Sequence, residues 1–141
     1  MAGYSATPLE KKLGIKPGFD VAFVNAPANF VRRLNLPAGV NVKSISRSKE
    51  LDFIQVFVKS QKALTTAFEY SRKMKPSGML WISWPKKTSG VATDVNENIV
   101  RERGLAAGLV DVKICGVDEI WSGLKFVYRL SDRPKMKSIA K

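Results

Sequence analysis

Three apolar runs constrain this chain more than anything else in it. Phe19 to Val24, Leu51 to Val58 and Met79 to Trp84 are apolar at most positions, as strands are when helices cover both faces of a sheet. A half-exposed strand would alternate instead. Between the first two runs lie Asn25-Ala26-Pro27, a short helical stretch through Phe30, Val31 and Leu34, the breaker Pro37-Ala38-Gly39 and a strand from Val40 to Ile45. After the second, Ser60 caps a helix whose apolar face is Leu64, Ala67, Phe68 and Met74, and Lys75-Pro76-Ser77-Gly78 turns the chain into the third.

The flanks fit the same plan. Thr7-Pro8-Leu9-Glu10 reads as a helix start with a threonine cap and proline at the first helical position. Asp94 and Glu97 form a capping box for a helix that packs Val95, Ile99 and Ala106 inward and ends at Gly108. Leu109 to Val117 and Leu124 to Leu130 alternate, which predicts a less buried antiparallel pair. The expected fold is α/β: an open Rossmann-like, mainly parallel sheet of about six strands with a C-terminal antiparallel hairpin. Residues 1–131 make one domain, and 132–141 make a basic, flexible tail. No apolar run approaches the roughly 20 residues of a membrane span, and no secretory signal opens the chain, so no membrane partner is expected and the cytoplasm is the expected location. The single cysteine, Cys115, is read as a buried, reduced thiol.

Composition removes several chemistries. With no histidine in 141 residues, a Ser-His-Asp or Cys-His site is impossible and a zinc site has lost its usual ligand. The acids are scattered, leaving no carboxylate cluster for magnesium. Any catalysis would rest on positioning or on a borrowed cofactor. A formal charge of +12 points to an anionic partner, either a phosphate-bearing ligand or nucleic acid, or else to a solubility charge. The body stays strongly basic without its tail.

From Leu51 to Leu130, strand, helix, strand, helix, Ala107-Gly108-Leu109, strand and closing hairpin resemble the C-terminal half of a class I methyltransferase. The chain is also similar to an uncharacterised bacterial family of unknown function. That likeness rests on Gly3-Tyr4-Ser5-Ala6-Thr7-Pro8-Leu9, Leu13 to Gly18, Trp84-Pro85-Lys86-Lys87 and Glu119 to Leu124. The methyltransferase resemblance implies a glycine-rich turn after the first strand and an acid at the end of the second, which together hold S-adenosylmethionine. Here the turn is Asn25-Ala26-Pro27-Ala28-Asn29, Pro27 lacks a backbone donor, and Ser46-Arg47 stand in place of the acid. S-adenosylmethionine is therefore expected to bind weakly or not at all.

The candidate ligand residues cluster at strand ends. Asn25 follows the first strand, where open α/β sheets meet their ligands, though asparagine also caps helices. Trp84, Lys86, Lys87, Thr88 and Ser89 form a donor-rich loop suited to an anion or to bulk solvent. Asn98 and Arg101 open the next helix, with Arg101 also within reach of Glu97. Trp121 is a stacking surface or a core cap. The leading expectation is a non-catalytic domain binding an anionic ligand. A methyltransferase and a protein-interaction domain are the competing readings.

Overall fold

The computed structural model describes residues 7–132, so the expected tail lies outside the described residues except for Asp132. The described residues form six strands: β1 (Asp20–Val24), β2 (Asn41–Val42), β3 (Leu51–Phe57), β4 (Met74–Pro85), β5 (Leu109–Gly116) and β6 (Trp121–Tyr128). They make one sheet in the order β2-β1-β3-β4-β6-β5. The first four are mutually parallel, and β6 runs antiparallel between β4 and β5. The runs read as doubly covered strands are the sheet's centre: Val21, Ala22, Phe53, Ile54, Leu80 and Trp81 are all fully buried.

Alternation divides their side chains between two layers. On one face Ala22, Ile54, Leu80 and Phe126 pack against α3 (Gln61–Glu69) and α4 (Glu97–Ala106) through Leu64, Phe68 and Val100. On the other, Val21, Phe53 and Trp81 meet Leu13 and Ile15, which follow α1 (Leu9–Lys12), while Phe57 meets Phe30 of α2 (Phe30–Arg33). The Trp81 indole donates to the Leu13 carbonyl at 2.9 Å, pinning the N-terminal segment to the sheet. Within this layer Gln55 donates to the Ser83 hydroxyl at 3.0 Å, and its own amide oxygen has no partner among the described residues.

Several boundaries differ from the sequence reading, each for a local reason. The strand expected over 40–45 shrinks to Asn41–Val42, because this edge is exposed and Ile45 turns into a short 3-10 segment to pack against the core. Lys75 to Gly78 do not turn the chain. They extend β4 backwards to Met74, which pairs with Leu51 across a register shift and is buried there, not on the helix face. At α1 Pro8 holds the N-cap position with no side-chain cap bond, in place of Thr7.

The Ser60 cap of α3 is present, accepting from Ala63 N–H at 3.1 Å. At α4 the cap is Asn96, which accepts from Ile99 N–H at 3.0 Å. Asp94 accepts instead from Gln61 N–H at 2.9 Å, tying the start of α3 to the approach to α4. Val95 is buried just before α4 and Ile99 packs half-buried against the core, as expected, whereas Ala106 is exposed and the buried positions of the helix are Val100 and Gly104. Cys115 is half-buried, not buried, since β5 is the sheet edge. Desolvation still pushes its thiol pKa up.

Candidate functional site

After β1 the chain continues to β2 on one side of it, and β3 then joins on the other. The order reverses at β1, and the crevice beyond the carboxyl ends of β1 and β3 is where a sheet of this kind places ligands. A cleft of about 530 Å³ occupies that position. This is the size of a small-molecule or cofactor site.

Its walls follow from the strand ends. Asn25 leaves β1 with a left-handed backbone, φ 58°, and Asn29 repeats it at φ 65° before α2. Asparagine tolerates this region better than other non-glycine residues, so the turn keeps the conformation that glycine usually supplies. Phe57, Val58, Lys59 and Ser60 leave β3, and Ala63 and Trp121 close the sides. Trp121 is 6% exposed and stands edge-on to Phe57, ring centres 5.0 Å apart, while Phe57 stands edge-on to Phe30 at 4.9 Å. Trp121 is thus chiefly a core residue with one edge on the cleft.

The hairpin that carries Trp121 is held by polar contacts. The Asp118 carboxylate accepts from the N–H groups of Ile120 and Trp121, both at 2.8 Å. Lys86 secures the same turn twice: its ammonium donates to the Asp118 carbonyl at 2.6 Å and its N–H to the Ile120 carbonyl at 2.7 Å. The Ser89 hydroxyl donates to the Lys86 carbonyl at 2.6 Å and accepts from Val91 N–H at 3.2 Å, closing the loop on itself.

The sequence-predicted residues therefore divide. Asn25 and Trp121 line the cleft at the order reversal. Trp84, Lys86, Lys87 and Thr88 line a second cleft, of about 580 Å³, beyond β4. Its other wall holds Asp94 and Glu97, so its charge is mixed. Lys87 and Thr88 are exposed, and Asn98 is exposed on α4. Arg101 points to neither cleft: its guanidinium donates to Asp111 at 3.0 Å and to Glu97 at 2.7 Å, and these bonds raise its pKa, Asp111 first. Sequence reasoning missed Phe57, Lys59 and Ala63 as cleft residues. The signal was the end of the second apolar run, which becomes a ligand position only once the strand order is known.

No protein-family model and no curated protein matches the chain. Solved structures do match. An S-adenosylmethionine-dependent methyltransferase from Aquifex aeolicus superposes with TM-score 0.61 at 18% identity over 82% of this chain and 85% of that one. Aeropyrum pernix fibrillarin, solved with natively bound S-adenosylmethionine, gives 0.55 at 11% identity over 82% and 69%. A protein from Bordetella parapertussis gives 0.60 at 10% identity over 85% of this chain, which spans 65% of that protein. The fold is that of the S-adenosylmethionine-dependent methyltransferases. At these identities the likeness extends to the fold alone.

The cofactor implied by that fold can be tested against the cleft. Phe57, Val58, Pro27 and Trp121 provide apolar surface for an adenine ring, and Lys59 a cation for a carboxylate. Asn25 and Asn29 hold the left-handed backbone that glycine usually supplies there, each with an added Cβ, and Pro27 between them offers no backbone donor. No carboxylate lines the cleft among the described residues, so an acid for ribose hydroxyls is missing from it. The lining thus offers apolar surface for an adenosyl body and one cation for a carboxylate.

Proposed function

We propose that this protein is a small-molecule-binding domain of methyltransferase fold, and that its cleft at the order reversal takes S-adenosylmethionine or a close adenosyl relative. The observation that carries this reading is the position of the cleft, at the carboxyl ends of β1 and β3 where the strand order turns. Phe57, Val58 and Trp121 would hold the adenine, Asn25 would offer its carboxamide and Lys59 would pair with the carboxylate. Bound S-adenosylmethionine supplies an activated methyl group, whose transfer asks the protein mainly for orientation. A chain without histidine is suited to that demand.

A second reading is a phosphate-bearing ligand in the same cleft. It is supported by Lys59, the one charged residue lining the cleft among those described. Titration calorimetry with S-adenosylmethionine, S-adenosylhomocysteine, AMP and ADP separates the two. One-site binding of the adenosyl-sulfur compounds supports the first reading, and binding of ADP alone supports the second. No heat with any of them at about millimolar concentration, the weak end of the affinity scale, would refute both.

A further inference from the structure

The sheet face that carries α1 holds a group of lysines that no described acid balances. Lys113 of β5 lies directly opposite Lys125 of β6 in the antiparallel register. Like charges in that position destabilise a sheet. Lys125 is half-buried, and its ammonium reaches over the end of α1, 3.7 Å from where a Cβ on Gly14 would sit. Lys113 donates to the Lys12 backbone carbonyl at 2.9 Å, tying β5 to the end of α1, and the charges of Lys12 and Lys16 act on Cys115 and Lys125 of the same face. Among the described residues, none of the four forms an ion pair, although Asp20, Asp52, Glu97 and Asp111 are all paired elsewhere. Burial and the neighbouring Lys113 and Lys16 all push the Lys125 pKa down. A fold that keeps this repulsion without a carboxylate is built to meet an anion from outside.

The geometry points to a phosphate-binding surface formed by Lys16, Lys113 and Lys125, with Lys12 beside them, that takes the backbone of double-stranded nucleic acid. Lysine contacts phosphates as a point charge and reads no base, so binding is independent of sequence. A duplex is favoured over a single strand because Trp81, the tryptophan that packs beneath these lysines against Leu13, is fully buried and offers no platform for unstacked bases on this face. This surface is independent of the cleft proposed above, and either can fail without the other.

The test is fluorescence anisotropy of the full chain with a labelled duplex of about 20 base pairs across a salt series. Lys113→Gln/Lys125→Gln should lower the log-log salt slope by up to about two, at about 0.9 for each phosphate that is no longer neutralised. Lys49→Gln/Lys62→Gln removes the same charge from exposed positions elsewhere and should leave the slope nearly as it was. Lys125→Met should weaken duplex binding while raising the melting temperature, because it removes the buried repulsion together with the phosphate partner. An unaltered slope in the Lys113/Lys125 variant, or equal slopes in both double variants, would overturn the proposal. So would polyglutamate displacing the duplex at matched charge, which would identify an acidic protein as the partner, or pyrophosphate saturating the surface in place of the duplex.

Discussion

Gly104 of α4 lies directly against the ring of Phe126 on β6, so close that a methyl group at Gly104 would overlap the ring, with Cζ 2.6 Å away. Phe126 is fully buried and stands edge-on to Phe68 of α3, ring centres 5.1 Å apart, so it has nowhere to yield. The glycine is what lets α4 approach the sheet. Alanine would improve helix propensity by about 1 kcal/mol. Overpacking should outweigh that gain at about 1–3 kcal/mol. Gly104→Ala should therefore unfold at lower urea with an unchanged slope, and a more stable variant would show that the packing there is not tight.

Asn25 makes a separate prediction about the turn after β1. At φ 58° a Cβ-bearing residue without a local polar side chain is disfavoured by about 1 kcal/mol or more, whereas glycine meets no such steric cost. Asn25→Ala should lose about 1 kcal/mol in chemical denaturation and Asn25→Gly much less. Equal losses in both would mean that the carboxamide, not the backbone, matters there.

Arg101 joins α4 to the β5 edge through Asp111 and to its own helix through Glu97. Arg101→Met should lower the melting temperature, by an amount that shrinks as salt is added, and should leave ligand titrations at the cleft unchanged. Altered ligand affinity would show that Arg101 reaches the ligand.

Much of this fold was legible because burial on both faces leaves a mark in sequence. The runs around Val21, Phe53 and Leu80 are the three parallel central strands, and the alternating pair around Phe126 is the antiparallel edge. Element ends were harder to read. Lys75 to Gly78 look like a turn, but pairing of Met74 with Leu51 keeps them extended, and no local pattern shows a partner 23 residues away. Asp94 resembles the cap of α4, yet it binds Gln61, and Asn96 does the capping. The site suffered in the same way. Asn25 and Trp121 fall at one cleft and Lys87 and Thr88 at another because strand order, which local residues do not encode, decides which loops meet.

The lysine face carries a pH signature. Burial, then Lys113, then Lys16, hold the Lys125 pKa below its ordinary 10.5. Between that lowered value and 10.5 the unfolded chain binds more protons than the folded one, so stability from this group rises with pH across that window. Below the lowered value the cost of the buried charge is fully present. The advantage of Lys125→Met over the wild type in melting temperature should thus be largest near neutrality and close as pH climbs toward 10.5. A difference independent of pH would place Lys125 in open solvent.

The proposed function stands on the cleft at the order reversal, and one measurement addresses it directly: amide chemical-shift mapping of the labelled protein with S-adenosylhomocysteine. This ligand lacks the sulfonium charge, so a cleft whose one charged residue among those described is Lys59 should take it more tightly than S-adenosylmethionine. Shifts should concentrate at Asn25, Lys59, Ser60, Ala63 and the Trp121 indole, and Ala63→Phe, which fills the cleft wall, should abolish them. Shifts confined to Lys87, Thr88 and Asn96, or no shifts at saturating ligand, would contradict the assignment.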